Sequence, residues 1–358
     1  MSSQVQSRYP FSMPSGWFAV AESPEVEVGQ TKAIYYFATH LVLWRDEEGV
    51  AHVQDAFCPH LGAHLGHGGG VSGCELVCPF HGWKFDGEGC NTEIPYSERT
   101  NKKAKIRTYP VLERNGFVYT WYHPGEEPPT WEVDAVDDID GSEFYGPKRW
   151  TQVVQAGIQE MGENGVDSAH FRYVHNVADV PVITKYEPDG PRSIMESDQK
   201  FPTPRGVVEG HINSTANGPG VSVVRFSGII DTLLMTATTP IDPNQTQVRF
   251  NFYVRSLGDE ATNSSVGEAF ATEVIKQFTE DMPIWEHKAH LVRPALADND
   301  GPFMKFRKWY GQFYVDEPSG QTPGSVERTV FPPPYWPDKM DEVPGKGTAS
   351  VKHGGSAL

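Results

Sequence analysis

The sequence predicts an α+β protein, with a small all-β domain followed by a mixed domain that holds an antiparallel sheet and a long C-terminal helix. Three observations carry that prediction. Residues 16–125 break into short β-branched and aromatic runs separated by turns. Farther on, VSVVRFSGII, TLLMTATTPI and TQVRFNFYVR alternate apolar with polar residues, and the turn DPNQ joins the last two. From about Ser264 to His290 the apolar residues fall at helical spacing. The 358 residues suffice for two domains of ordinary size, each with its own core.

In chain order, residues 1–15 read as a leader. GWFAVA, AIYYFATHLVLWR, VAHVQDAF and GFVYTWYH are strands of the first domain, residues 16–125, with DEEG and ERNG as turns. HPGEEPPTWEVD, residues 123–134, is proline-rich and acidic and reads as a linker into the second domain, residues 126–340. VVQAGIQEMGENGVDSAHFRYVH reads as a helix weakened by Gly162 and Gly165. Beyond the later strands and the long helix, residues 341–358 read as a disordered tail.

Composition removes several function classes. A formal charge of −17 excludes non-specific nucleic-acid binding, which needs basic surface. No apolar run reaches the roughly 20 residues of a membrane span; GIIDTLLMTATTPI comes nearest and is broken by Asp231. The start lacks the basic flank and apolar core of a secretory signal. Four unevenly placed cysteines do not form a disulfide framework, so the expected compartment is the cytoplasm, where thiols stay available as ligands.

Three of those cysteines fall in CPHLGAHLGHGGGVSGCELVCPFHGW, residues 58–83. Cys58 has His60 two positions on, Cys78 has His81 three positions on, and 17 residues separate the two hooks. Zinc takes the same ligand types, but its sites normally group cysteine with cysteine and histidine with histidine. One of each per loop suits a Rieske [2Fe–2S] centre, where one iron takes two thiolates and the other two imidazoles. Gly62, Gly66, Gly68, Gly69, Gly70 and Gly82 let backbone amides approach the sulfides. His64 and His67 read as surface or hydrogen-bonding residues, and Cys74 and Cys90 as inert structural ones. Trp83 reads as a shield over the cluster or as ordinary core.

A second constellation follows in ENGVDSAHFRYVH, residues 163–175. On a helix Asp167 and His170 share a face, with Glu163 one turn earlier. His175 lies five residues past His170, so the helix must end or distort before it. Two histidines and a distant carboxylate form the facial triad of non-haem Fe(II) oxygenases, which leaves positions open for dioxygen. The long helix supplies a candidate: Val274, Phe278, Asp281 and Trp285 make an apolar stripe with one charge in it. A buried carboxylate must be paired or bound to metal, so Asp281 is the third ligand or half of a buried salt bridge. Glu280 falls toward Lys276 and His287, on a face that reads as solvated.

The hooks resemble the Rieske family over about 110 residues. Respiratory-chain members of that family carry a further cysteine in each loop, where this sequence has Ala63 and Phe80. The resemblance therefore implies a lower-potential centre of the ferredoxin or oxygenase type. With the second constellation included, Gly16 to Val315 resembles the oxygenase component of Rieske non-haem iron oxygenases, which implies a helix-grip-like catalytic domain. CPHLGAHLGHGG, CPFHGWKFDGEGC, KWYGQFYVD and FTEDMPIWEHKAHLVRPAL are most similar to its steroid-acting branch, the 3-ketosteroid 9α-hydroxylases and cholesterol 7-desaturases.

That resemblance implies a [2Fe–2S] cluster on Cys58, His60, Cys78 and His81, and a mononuclear Fe(II) on His170, His175 and Asp281. It makes Asp167 an electron bridge to the neighbouring subunit of a head-to-tail homotrimer, or else a partner that orients His170. Dioxygen, a hydrophobic steroid-like substrate and a separate NADH-dependent flavin and iron–sulfur reductase complete the expected system, since no nucleotide-binding glycine motif is visible. Arg99, Lys102, Lys103, Lys105 and Arg107 form a basic island that either steers that reductase or is a solvated hairpin. Hydroxylation is the expected reaction, with desaturation as its alternative. A pure electron carrier and a zinc-stabilised binding module are the rival classes.

Overall fold

Short apolar runs between turn residues become eleven strands by residue 122: β1 (Gly16–Glu22), β2 (Thr31–Tyr36), β3 (Thr39–Arg45), β4 (Ala51–Asp55), β5 (Gly70–Ser72), β6 (Glu75–Val77), β7 (Lys84–Phe85), β8 (Asn91–Glu93), β9 (Thr108–Tyr109), β10 (Val111–Arg114) and β11 (Phe117–Tyr122). They form three antiparallel sheets, ordered β1-β11-β10, β2-β3-β4-β9 and β5-β6-β7-β8. The last is a small sheet from which both hooks spring. Cys58 and His60 lie between β4 and β5, and Cys78 and His81 lie between β6 and β7. The computed structural model describes residues 9–315 except 141–142, 178–179, 204–205 and 229; the expected tail and the first part of the leader lie outside the described residues.

The expected turns DEEG and ERNG both form, but the strand read over AIYYFATHLVLWR does not stay whole and breaks into β2 and β3. In ERNG, Asn115 and Gly116 take positive φ (55° and 79°), the conformation a two-residue hairpin needs. Between β2 and β3 the same task falls to Phe37 and Ala38 (56° and 57°), residues that resist it. The compensation is tertiary. The amides of Phe37 and Ala38 donate to the carbonyls of Pro240 and Ile241 at 3.0 and 2.8 Å, and Phe37 stacks on Tyr122.

The second part is one antiparallel sheet of seven strands, β12 (Phe144–Val154), β13 (Val182–Asp189), β14 (Arg192–Thr203), β15 (Gly206–Asn217), β16 (Val221–Ser227), β17 (Thr232–Asp242) and β18 (Gln245–Arg255), in the order β12-β18-β17-β16-β15-β14-β13. The long helix, Glu260–His287, packs against β12 and β18. It starts earlier than its apolar stripe because Asp259 caps it, accepting from the Thr262 amide at 2.8 Å. A bulge at Ala19–Ala21 in β1 turns main-chain carbonyls toward this sheet. The carbonyl of Ala19 accepts from Arg249 and Thr239, and that of Val20 accepts from Arg249. HPGEEPPTWEVD is not a free tether, since Trp131 receives the Trp17 indole N–H at 2.7 Å and Val133 is buried. Among the described residues, no helix is long and apolar enough to cross a membrane.

A second expected element fails. The helix read over residues 153–175 is instead the end of β12, a short helix (Ile158–Gly162), a 3₁₀ turn (Glu163–Val166) and a second short helix (His170–Tyr173). Gly157 and Gly162 are there for space, because a Cβ would meet the Tyr9 ring at 2.6 Å and Phe306 at 3.1 Å. Asp167 stops the turn in extended backbone, and its carboxylate accepts from the Ala169 and His170 amides.

Candidate metal centres and cavity

The two hooks are the same loop built twice. The Gly62 amide donates to the Cys58 carbonyl at 2.9 Å, and the Gly82 amide to the Cys78 carbonyl at 3.0 Å. Both glycines sit at positive φ (78° and 70°), which closes each loop over its cysteine. The thiols are buried and unpaired. Burial and the neighbouring Cys78 push the Cys58 thiol up to about 11. The His60 and His81 rings lie 4.8 Å apart, and each has a buried Nδ1 with no partner. Orphaned imidazole nitrogens beside two buried thiols are costly as they stand. Two sulfurs and two nitrogens are the donor set that a Rieske cluster requires, so the residues fit it. Trp83 does cover this edge, stacked on His60 at 4.5 Å with its indole N–H donating to the Tyr96 hydroxyl.

The remaining residues of the stretch divide. His64 accepts from the Gly66 amide at 3.1 Å and its ring lies against that of His67, as hydrogen-bonding histidines should. Cys74 and Cys90, read as inert structural residues, are exposed and outside both hooks.

The broken 153–175 segment brings the second constellation together. His170 opens its short helix, His175 lies just past that helix, and Asp281 faces both from the long helix. Asp281 Oδ1 is 3.4 Å from His175 Nε2, and Oδ2 is 4.0 Å from His170 Nε2. One ligand atom from each of the three lies within 4.8 Å of the others. The opposite ring edges are held from behind. His170 Nδ1–H donates to the Asp167 carbonyl at 2.6 Å, and His175 Nδ1–H donates to Glu280 Oε2 at 2.9 Å. These bonds place the proton on Nδ1 in both rings and aim both Nε2 lone pairs at Asp281. Burial pushes the Asp281 carboxyl up, while both histidines and Asn164 pull it back. Two imidazoles and a carboxylate converging on one point fit a 2-His-1-carboxylate iron site.

Two contributors were not foreseen. Glu280, read as solvated, instead holds His175. Asn164 donates to Asp281 Oδ2 at 2.9 Å and lies 3.2 Å from His170 Nε2. Glu163, expected on the face of Asp167 and His170, points away from them. Its carboxylate is gripped by Arg307 at 2.6 and 2.9 Å, inside a buried cluster that also holds Lys288, Glu160 and His290. That cluster fastens the segment carrying Asn164 to the C-terminal helix Phe303–Tyr310.

Above the triad lies a cavity of about 310 Å³, within the range of small-molecule sites. Its walls come from six neighbouring strands, with Val248 on β18, Thr236 on β17, Val224 on β16, Ala216 on β15, Met195 on β14 and Tyr186 on β13. Five strand spacings amount to roughly 24 Å along the sheet. The cavity is thus a trough, roofed by Phe278 and Trp285 of the long helix and by Phe306 and Trp309 of the C-terminal one.

Residues 16–110 match the Rieske [2Fe-2S] domain family, and residues 120–314 match the 3-Ketosteroid 9alpha-hydroxylase C-terminal domain family. The chain is 31% identical over 337 residues to the 3-ketosteroid-9-alpha-monooxygenase, oxygenase component, of Rhodococcus rhodochrous, covering 86% of this chain and 83% of that one. It is also 31% identical over 352 residues to the cholesterol 7-desaturase of Caenorhabditis elegans, covering 86% and 78%. Among solved structures, apo dicamba monooxygenase superposes with a TM-score of 0.66 at 18% identity, covering 85% of this chain and 98% of that one. Pseudomonas putida CBB5 NdmA with caffeine gives 0.64 at 20% identity, covering 82% and 89%. These two likenesses establish the fold.

Proposed function

The chain belongs to the Rieske non-haem iron oxygenases, and from that premise we propose that it is the terminal component of a monooxygenase that hydroxylates an unactivated C–H bond of a steroid-like substrate. One observation carries the reading: two imidazole Nε2 atoms and a buried carboxylate face one another at the wall of a long apolar trough. Cys58, His60, Cys78 and His81 hold the cluster, and His170, His175 and Asp281 hold the mononuclear iron. The cluster supplies electrons singly, and the iron supplies dioxygen activation. The chain's own residues do the rest. The Asp167 carbonyl and Glu280 fix the imidazole tautomers, Asn164 orients Asp281, and the apolar walls hold a flat substrate and exclude water. Glu280→Ala should weaken iron binding at the triad by about 10- to 100-fold, read by titrating iron into the metal-free protein. An unchanged affinity would show that the His175 contact is incidental.

Electrons come from a separate NADH-dependent flavin and iron–sulfur reductase, and that dependence places the system in the cytoplasm. Arg99, Lys102, Lys103 and Lys105 are exposed and suit an acidic partner; Arg107 is engaged by Glu126. Around the hooks Phe57, Leu61, Phe80 and Tyr96 are exposed, an apolar rim that a monomer seldom leaves uncovered. It supports a head-to-tail homotrimer in which the hook histidines meet the neighbouring subunit's Asp167. The Asp167 carboxylate, 31% exposed, is open to that contact.

The decisive experiment supplies the protein with a compatible reductase, NADH, a panel of steroids and labelled dioxygen. A product with one labelled oxygen is expected, from protein that sediments at three times the protomer mass. The relationship to a cholesterol 7-desaturase favours a second outcome, an unlabelled product with a new double bond. No turnover of any steroid would end the steroid reading.

A further inference from the structure

Among the described residues, one fully buried polar atom of the trough lacks a partner. The Ser222 and Thr236 hydroxyls bond each other, and Tyr310 donates to the Pro219 carbonyl. The Tyr186 hydroxyl has no hydrogen-bond partner among the described residues, although the side chain is only 8% exposed. Ser193 approaches it without meeting hydrogen-bond geometry. Both residues line the trough. Burial pushes the Tyr186 phenol up to about 12, so near neutrality it carries its proton and can donate.

Position gives this group its meaning. Tyr186 lies on β13, one edge of the sheet, whereas the long helix bearing Asp281 packs on β12 and β18 at the other edge. Lys305 fixes it there, donating to its carbonyl with the ammonium 5.7 Å from its ring. Met195 is its cross-strand neighbour, and Phe306, Trp309 and Tyr310 belong to the same core cluster. A buried hydroxyl in such a place costs stability unless something arrives to accept its proton. We infer that Tyr186, with Ser193 beside it, recognises an oxygen substituent, a ketone or hydroxyl, on the part of the substrate that lies against β13. Pairing that oxygen sets which end of a fused-ring skeleton enters first, and so which carbon lies over the triad. This rests on the trough being the substrate site proposed above.

The test compares native protein with Tyr186→Phe. Binding of two steroids that differ only in a terminal ketone is followed by tryptophan fluorescence, without reductase or dioxygen. Native protein should prefer the ketone, and the substitution should erase about 10-fold of that preference, the worth of one buried hydrogen bond. The ligand-free variant should melt no lower than native, because an unpaired hydroxyl has been removed. Ser193→Ala should lower the preference less. An unchanged preference overturns the inference, as does a loss of stability in the ligand-free variant, which would reveal an internal partner. Failure of both steroids to bind overturns it too. Steroids that bind with the expected preference yet are never oxygenated would instead defeat the monooxygenase reading and leave this one standing.

Discussion

Asp281→Ala should abolish product formation while leaving the visible spectrum of the Rieske cluster unchanged. The triad offers one carboxylate, and removing it leaves two imidazoles with no anionic ligand for a divalent ion. Loss of an outer-shell partner already costs 10- to 100-fold in affinity or activity, so loss of a ligand should exceed about 100-fold in turnover. Iron content should fall from about three to about two per chain, with acid-labile sulfide constant. The variant should fold. Burial already disfavours the ionised Asp281, and the metal-free protein loses little beyond the acceptor for Asn164. Electron transfer from the reductase to the cluster should continue at its native rate. A variant that still turns over would make the second domain a scaffold and the chain a carrier.

The hooks were legible because their information is local. Ligand type and spacing decide what two short loops can hold, whatever the surrounding sheet does. Asp281 was legible for a different reason: a lone charge in an apolar stripe is costly, and cost marks function or pairing. Glu280 was not, because helical phase alone assigns it to a solvated face. Its three-bond side chain nonetheless reaches His175 from the next position on the helix, while remaining about a third exposed. Asn164 belonged to a segment read as one helix, and its neighbours pointed elsewhere once that helix broke. The break itself comes from tertiary demands that periodicity does not record, the approach of Tyr9 to Gly157 and of Phe306 to Gly162. Strands β13 to β15 escaped because their inward faces wall a trough. Ser193, Ser214 and Ala216 take positions where a packed core would show large apolar residues, so the alternation that marks a half-buried strand is blurred. The cavity weakened the signal of the fold.

Cys58→Ser should produce the reciprocal result, a colourless chain that has lost its sulfide and keeps about one iron. A serine oxygen cannot replace the thiolate, and the remaining three donors cannot hold both irons. Here stability should fall as well. The sheet β5-β6-β7-β8 is made of strands two or three residues long, and the two cysteines sit in its core among Leu65, Leu76, Trp83 and Phe85, backed by Val42, Trp44, Ile94, Ala104 and Ile106. With strands so short the free energy of metal binding is part of the free energy of folding. The melting transition of this part should therefore drop, together with the loss of colour. His67→Ala is the control, since that exposed imidazole lies in the same loop but outside the donor set. It should keep full iron, sulfide and colour. Sulfide retained in Cys58→Ser, or lost in His67→Ala, would mean that the donors have been assigned to the wrong side chains. Taken with Asp281→Ala, the two substitutions should remove different irons independently, because the triad and the hooks share no residue.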